Sequence, residues 1–167
     1  MTEVLNVAML GASGRMGRAI VPLLLASDGL RLSGALAAPG DPAVGQDAGV
    51  IAGAAPAAVA ITTDPAVALS GARVAIDFTL PSVSVANARA CAGRGCALVI
   101  GTTGHDAEQR AELEASARRI PMVLAPNMSL GVNLLFRLAE LAARALGEDY
   151  DIEIVEAHHR HKVDAPS

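Results

Sequence analysis

The sequence has 167 residues, of which 52% are hydrophobic and 2% aromatic, and its formal net charge is −4. This length suits one domain, or one domain and part of another, with a core of Ala, Val, Leu and Ile. The negative charge argues against a nucleic-acid surface, and no apolar run reaches the ~18 residues of a membrane span. The first residues lack the basic and then apolar pattern of a signal peptide, so we expect a cytoplasmic protein.

Strands and helices are predicted to alternate along the first ~125 residues. Short apolar runs predict strands at Val4–Leu10, Leu30–Leu36, Val59–Thr62, Arg73–Phe78, Ala97–Ile100 and Pro121–Ala125. Helical spacing and caps predict helices at Arg15–Ala26, Asp64–Leu69, Ser82–Ala92 (capped by Pro81-Ser82) and Asp106–Arg119. The segment Ala38–Ala58, rich in Ala, Gly and Pro, is predicted to be a loop. Apolar strands that alternate with helices indicate a Rossmann-like α/β fold, a doubly wound parallel sheet covered on both faces.

The pattern changes near Asn127. A long amphipathic helix is predicted at Leu130–Leu146, with Gly147 as its end, followed by a strand with one wet face at Asp151–Ala157. We therefore predict a dinucleotide-binding domain over residues 1–128 and the start of a second domain over residues 129–167.

A glycine-rich loop, Gly11-Ala12-Ser13-Gly14-Arg15-Met16-Gly17, follows the first predicted strand and opens the first predicted helix. Glycines allow a sharp turn and a close approach to a pyrophosphate, which the free N–H groups of a helix N-terminus can bind. The loop therefore predicts a dinucleotide site. The alternative is a tight turn that needs small residues only for packing.

The end of the second predicted strand reads Leu36-Ala37-Ala38-Pro39, and no acid occurs before Asp41. Rossmann domains usually place an Asp or Glu here to hold the ribose hydroxyls. Because Ala37 and Ala38 can neither repel nor hold a 2′-phosphate, we expect weak discrimination between NADH and NADPH. Arg15 and Arg18 could reach a 2′-phosphate or could simply be solvated.

Three of the four histidines and the one lysine lie between Glu156 and Asp164, in Glu156-Ala157-His158-His159-Arg160-His161-Lys162-Val163-Asp164. Imidazoles and an ammonium suit binding and protonation of a polyanionic substrate. A metal site at His159 and His161 is the rival, opposed by the neighbouring cations, and a solvated polar tail is a third reading. Cys91 and Cys96 are expected to be two reduced thiols, and because a metal site there would need further ligands and none is close in sequence, we predict no metal.

These segments together resemble the dihydrodipicolinate reductases. The resemblance is carried by the following motifs: Gly11-x-x-Gly14-Arg15-Met16-Gly17, Ile76-Asp77-Phe78-Thr79, Gly101-Thr102-Thr103-Gly104, Ala125-Pro126-Asn127-Met128-Ser129-x-Gly131-Val132-Asn133, and Glu156 through Ser167. The last of these is similar to the family signature almost letter for letter, and the resemblance covers the whole chain.

The resemblance implies an NADH- or NADPH-dependent oxidoreductase of lysine and diaminopimelate synthesis, acting on a cyclic dicarboxylate. It implies His158 and Lys162 as catalytic residues, His159 as a substrate contact, and no metal. The implied cofactor-binding residues are Gly11, Ala12, Ser13, Gly14, Arg15, Met16, Gly17, Phe78, Gly101, Thr102, Thr103, Ala125, Pro126, Asn127 and Met128.

Two departures from the family bear on function. The family usually has an acid and then a base where this sequence has Ala37-Ala38, and its signature continues with Gly-Thr after Ser167. The rest of the family's α+β substrate domain, with its homotetramer interface, is expected to be missing. We therefore expect these 167 residues alone to bind cofactor weakly and to turn over no substrate.

A second class of function stays open, a non-catalytic NAD(P)-binding Rossmann module. The histidine and lysine cluster argues against it, because a sensor does not need that chemistry. A different Rossmann reductase, acting on an aldehyde or keto acid, would be expected to carry Cys or Tyr-Lys chemistry, which the sequence does not present.

Overall fold

The computed structural model of the chain describes residues 4–155 and residue 157. The chain divides into two compact units, with the boundary between Leu124 and Ala125. The sequence predicts a boundary close by, after residue 128.

The first unit is built on a six-stranded sheet. The strands are β1 (Leu5–Leu10), β2 (Leu30–Leu36), β3 (Ile61–Thr62), β4 (Val74–Asp77), β5 (Ala97–Ile100) and β6 (Met122–Leu124). Their order is β3-β2-β1-β4-β5-β6, and every neighbouring pair is parallel. This is the strand order of a Rossmann fold, so the predicted doubly wound sheet is confirmed.

Helices connect the strands: α1 (Arg15–Leu25), α2 (Ala48–Ile51), α3 (Pro65–Ala68), α4 (Pro81–Arg94) and α5 (Ala107–Ala117). Local chemistry sets several of their ends. Asp106 and Gln109 form a reciprocal capping box at the start of α5, and Gly95, with φ +66°, ends α4 in the left-handed conformation. Each cap satisfies backbone groups that a helix end leaves without partners.

The sheet is buried on both faces, as β1 shows most clearly. Ala8 and Leu10 belong to one hydrophobic cluster, and Val7 and Met9 belong to the other. Because successive side chains of a strand point to opposite faces, the two clusters cover the two faces of the sheet. None of these four side chains is more than 2% exposed. The nearly continuous apolar strands of the sequence follow from this double burial.

Two local predictions were wrong. The predicted loop Ala38–Ala58 contains the short helix α2, because the Asp47 carboxylate accepts hydrogen bonds from the backbone N–H groups of Gly49 and Val50. Helix α4 begins at Pro81 with Leu80 as its N-cap, so Ser82 does not cap it. Proline suits the first position of a helix because the N–H group that it lacks would have no partner there.

The second unit contains α6 (Leu130–Leu146) and a 3₁₀ turn at Gly147–Asp149. Helix α6 has the predicted bounds, Ser129 caps its start and Gly147 caps its end. The strand predicted at Asp151–Ala157 is absent from the described residues of that range, since residues 151–155 and 157 are in neither helix nor strand. A strand needs a partner, and the described part of this unit contains no other strand. No helix in the described part of the chain is long and apolar enough to cross a membrane.

Candidate functional site

The candidate site lies at the carboxyl edge of the sheet, around the ends of β1, β2 and β4. The strand order reverses between β1 and β4, because β2 follows β1 on one side and β4 lies on the other. Ligands of open α/β sheets bind in the crevice outside the strand ends at such a reversal. The predicted glycine loop leaves β1 at this point.

The glycine loop is fixed by backbone contacts that require small residues. The N–H groups of Gly11 and Ala12 both donate to the carbonyl oxygen of Leu36, at 2.9 Å each. Gly11 has a φ of +83°, and a Cβ atom there would lie 2.6 Å from the Phe78 carbonyl oxygen. A Cβ atom at Gly17 would lie 2.3 Å from the Gly11 carbonyl oxygen. The loop therefore holds α1 tightly against the ends of the strands.

A cavity of about 340 Å³ opens between this loop and the segment that follows β4. Its walls include Gly11, Ser13 and Gly14 on one side and Phe78 and Thr79 on the other. The loop after β2, from Ala37 to Asp41, forms a further wall. A cavity of this volume lies in the range of small-molecule sites, which begins at roughly 300 Å³.

A buried polar network supports the wall after β4. Asp77, which is fully buried, accepts hydrogen bonds from Thr79 N at 3.0 Å and Thr79 Oγ1 at 2.8 Å. It also accepts from Thr102 Oγ1 at 2.9 Å and from Asn87 Nδ2 at 2.7 Å. One carboxyl group thus joins β4, α4 and the loop after β5.

The loop after β5 packs directly on Phe78. A Cβ atom at Gly101 would lie 2.1 Å from the Phe78 ring, so only glycine fits beneath that ring. Thr102 is buried and its Oγ1 also accepts from Thr79 N at 2.9 Å, whereas Thr103 is exposed. Gly101, Thr102 and Phe78 therefore form one packed group at the edge of the site.

His105 follows this loop, is buried, and is the one histidine within residues 4–155 and 157. Its Nε2 lies 2.6 Å from Ser84 Oγ in α4, and its carbonyl oxygen accepts from Arg110 Nε. Burial lowers the pKa of His105, while Asp77 and Asp106 act in the opposite direction and Arg110 adds to the lowering. The lowered pKa therefore favours the neutral imidazole at neutral pH.

We expect His105 to make the fold less stable in mild acid. The pKa of His105 is lower in the folded chain than the ~6.5 of an unfolded chain, so the unfolded state binds more protons below that pH. The contribution of neutral His105 to the free energy of unfolding is complete above pH ~6.5. It declines as the pH falls toward the pKa of His105 in the folded chain. Urea unfolding between about pH 7.5 and pH 5 should show a smaller loss of stability in His105→Gln than in the wild type. An equal loss in both proteins would contradict this assignment.

Comparison with known proteins places this geometry in a family. Residues 5–128 match the family described as dihydrodipicolinate reductase, N-terminus, and residues 131–167 match the family described as dihydrodipicolinate reductase, C-terminus. The chain belongs to the dihydrodipicolinate reductase family.

Individual members of the family are similar over nearly the whole chain. The 4-hydroxy-tetrahydrodipicolinate reductase of Anaeromyxobacter dehalogenans (strain 2CP-1 / ATCC BAA-258) is 54% identical over 97% of the chain. The enzyme of the same name from Nitrosomonas europaea is 53% identical over 98% of it. A solved structure of a dipicolinate-bound dihydrodipicolinate reductase from Paenisporosarcina sp. TG-14 matches 98% of the chain with a TM-score of 0.73 and 27% identity. The chain spans 60% of the length of those two curated relatives and 62% of the solved chain.

Most predicted cofactor residues of this dihydrodipicolinate reductase family member come together in the first unit. Gly11, Ser13, Gly14 and Phe78 line the cavity. Ala12 and Gly17 are buried behind it, Arg15 and Met16 are exposed at the start of α1, and Gly101 and Thr102 pack beside Phe78 as described. Thr103, which follows them, is exposed.

The other predicted site residues belong to the second unit or lie outside the described residues. Ala125, Pro126, Asn127 and Met128 begin the second unit, where Asn127 Oδ1 accepts from Ser129 N at 2.8 Å. His158, His159 and Lys162 lie outside the described residues. Within residues 4–155 and 157, no group of three His, Cys, Asp or Glu side chains could hold a metal ion.

Sequence reasoning missed three side chains that shape the site: Asp41, Asp77 and Asn87. Asp77 carried a signal, because it is a carboxyl group at the end of an otherwise apolar strand. Buried acids of that kind need donors, so a network could have been expected. Asn87 lies ten residues further on, and its hydrogen bond to Asp77 depends on the packing of α4.

Proposed function

We propose that the protein is a 4-hydroxy-tetrahydrodipicolinate reductase. The reaction is NADH- or NADPH-dependent reduction of a cyclic dicarboxylate to tetrahydrodipicolinate, in the synthesis of diaminopimelate and lysine. The observation that carries this proposal is the cavity between the glycine loop and Phe78, in a chain of the dihydrodipicolinate reductase family. We further propose that the complete protein is a cytoplasmic homotetramer with domains over residues 1–128 and from residue 129 onward.

The residues around the cavity fit a nicotinamide dinucleotide. Gly11 and Gly17 bring backbone against backbone where a Cβ atom would collide, so α1 starts close to the strand ends. The first N–H groups of a helix have no partner within the helix and favour an anion. The pyrophosphate would be held by Gly11 through Gly17, and the nicotinamide end by Phe78, Gly101 through Thr103 and Ala125 through Met128.

The catalytic roles fall on the segment after Glu156. Bound NAD(P)H supplies a hydride, and a proton must then reach the nitrogen end of the substrate ring. His158 and Lys162 would hold and deliver that proton, and His159 would contact a substrate carboxylate. No metal enters this proposal.

The test of the nucleotide site is Gly14→Val. Gly14 precedes α1, lines the cavity, and has an ordinary φ of −72°. A Cβ atom there would meet only the Gly11 carbonyl oxygen, at 3.3 Å, a close contact that a shift of a few tenths of an ångström would relieve, and the rest of the valine side chain should occupy ligand space. Calorimetric titration of the complete protein should show NADH and NADPH binding weakened by about tenfold or more, ~1.4 kcal/mol.

The matched control is Gly29→Val, at the opposite edge of the sheet, where a Cβ atom would meet nothing within 4 Å. It should leave both affinities and the rate of substrate reduction unchanged. Unchanged affinity in Gly14→Val would remove the nucleotide site from the proposal. A complete protein that binds nucleotide and fails to oxidise it with the dicarboxylate present would leave only a binding module.

A further inference from the structure

The loop after β2 brings a carboxylate into the nucleotide cavity. Strand β2 ends at Leu36 without an acid, and the chain turns back through Gly40, whose φ is +83°. The turn is closed by a hydrogen bond from Asp41 N to the Ala38 carbonyl oxygen, at 3.1 Å. Asp41 then lines the same cavity as the glycine loop.

Two hydrogen bonds fix the position of that carboxylate. Ser13 Oγ donates to Asp41 Oδ2 at 2.6 Å, and Ala43 N donates to Asp41 Oδ1 at 2.8 Å. The hydrogen bond from Ser13 is the largest cause that lowers the pKa of Asp41, so the group stays ionised at neutral pH. Each oxygen accepts one bond here and retains a free acceptor position.

The chemistry of this position is that of a ribose anchor. A Rossmann domain binds the adenosine ribose beside the glycine loop at the end of its second strand, and a carboxylate there accepts from the ribose hydroxyls. A phosphate at the 2′ position would place two negative groups side by side, which costs binding energy in a partly enclosed site. Ser13 belongs to the glycine loop, so its bond holds the Asp41 carboxylate beside that loop.

We propose that Asp41 is the residue that determines nucleotide specificity, and that it makes the protein prefer NADH to NADPH. This inference rests on the proposed nucleotide site. It replaces the expectation, based on Ala37 and Ala38, of weak discrimination between NADH and NADPH. The carboxylate comes from Asp41 in the loop after β2 instead of from the end of the strand. Arg18, whose Nε donates to the Ser13 carbonyl oxygen at 2.8 Å, is the nearby cation that opposes this preference.

The test compares the ratio of NADPH to NADH dissociation constants in the complete protein, measured by calorimetry. Asp41→Asn keeps the size of the side chain but carries no charge: its Oδ1 can still accept from Ala43 N, and its Nδ2 can donate to Ser13 Oγ, since a hydroxyl can also accept. We expect the wild type to bind NADH more tightly, and Asp41→Asn to shift the ratio toward NADPH by about tenfold or more. Added salt should shift the wild-type ratio in the same direction, since it screens exposed charges, and should alter the variant less.

Asp28→Asn is the matched control, because it removes one exposed acid before β2, at the opposite edge of the sheet. It should leave the ratio unchanged. A wild type that prefers NADPH, or the same ratio in wild type and Asp41→Asn, would overturn the role of Asp41 while leaving the nucleotide site intact. A wild type that binds neither nucleotide would overturn the proposed function and this inference with it.

Discussion

Replacing Asp77 with alanine is expected to lower the free energy of unfolding by about 3–5 kcal/mol. The Asp77 side chain is fully buried and accepts from Thr79, Thr102 and Asn87. Each buried donor that loses its acceptor costs about 1–3 kcal/mol, and Asn87 and Thr102 are themselves only 2% and 6% exposed. Urea denaturation followed by circular dichroism measures the loss.

Asp77→Asn keeps the volume of the side chain, so it separates the effect of the changed hydrogen bonds from the effect of the volume that Asp77→Ala removes. Its amide would face Asn87 Nδ2, and Asn87 can turn its own amide to present the oxygen instead. We therefore expect Asp77→Asn to cost less than Asp77→Ala, about 1–2 kcal/mol. The double variant Asp77→Ala, Asn87→Ala should cost less than the sum of the two single variants, because they share one contact. Additive costs would show that the two side chains do not stabilise each other.

The same network ties stability to the nucleotide site. Asp77 holds Thr79, and Thr79 N bonds to Thr102 in the loop that packs on Phe78. Loss of the Asp77 carboxylate therefore removes hydrogen bonds from Thr79, in the wall of the cavity, as well as a contact in the core. Residual folded Asp77→Ala protein should therefore bind nucleotide more weakly than the wild type at low temperature, where both are folded.

The secondary structure of the sheet was predictable where local signals agree. Strands Leu30–Leu36 and Ala97–Ile100 and helix Leu130–Leu146 have the bounds that the sequence predicts. In each of them an apolar pattern is bounded by a glycine or by a capping residue. Residues 151–155 alternate in the same way and form no strand, because alternation specifies a wet and a dry face and does not supply a partner.

The location of the candidate site was predictable from the sequence, but the side-chain hydrogen bonds within it were not. Glycine spacing after β1 predicts a nucleotide loop, because the backbone there must approach other backbone, as Gly11 does at Phe78. The bond between Ser13 and Asp41 joins residues 28 positions apart, and the bond between Thr102 and Asp77 joins residues 25 positions apart. Such pairs depend on how loops turn at the ends of strands, which residue spacing alone does not specify.

The other large effect concerns the chemistry proposed for the segment after Glu156, which lies outside the described residues apart from residue 157. His159→Ala should mainly raise KM, since it removes a proposed contact to a substrate carboxylate without removing a proton donor. Its kcat should stay close to that of the wild type. A large fall in kcat with an unchanged KM would move His159 from substrate binding into the proton transfer itself.

Lys162→Arg in the complete protein should lower kcat by about 10²–10⁴-fold, the usual contribution of a well-placed proton donor. Arginine keeps the positive charge, so substrate binding and KM should change less than kcat, but a guanidinium does not readily give up its proton at neutral pH. Steady-state kinetics with saturating nucleotide measure both constants. Arg137→Lys exchanges the same two residue types at an exposed ion pair with Glu140 on α6 and should leave kcat unchanged. Near wild-type kcat in Lys162→Arg would show that its charge, and not its proton, is what the reaction uses.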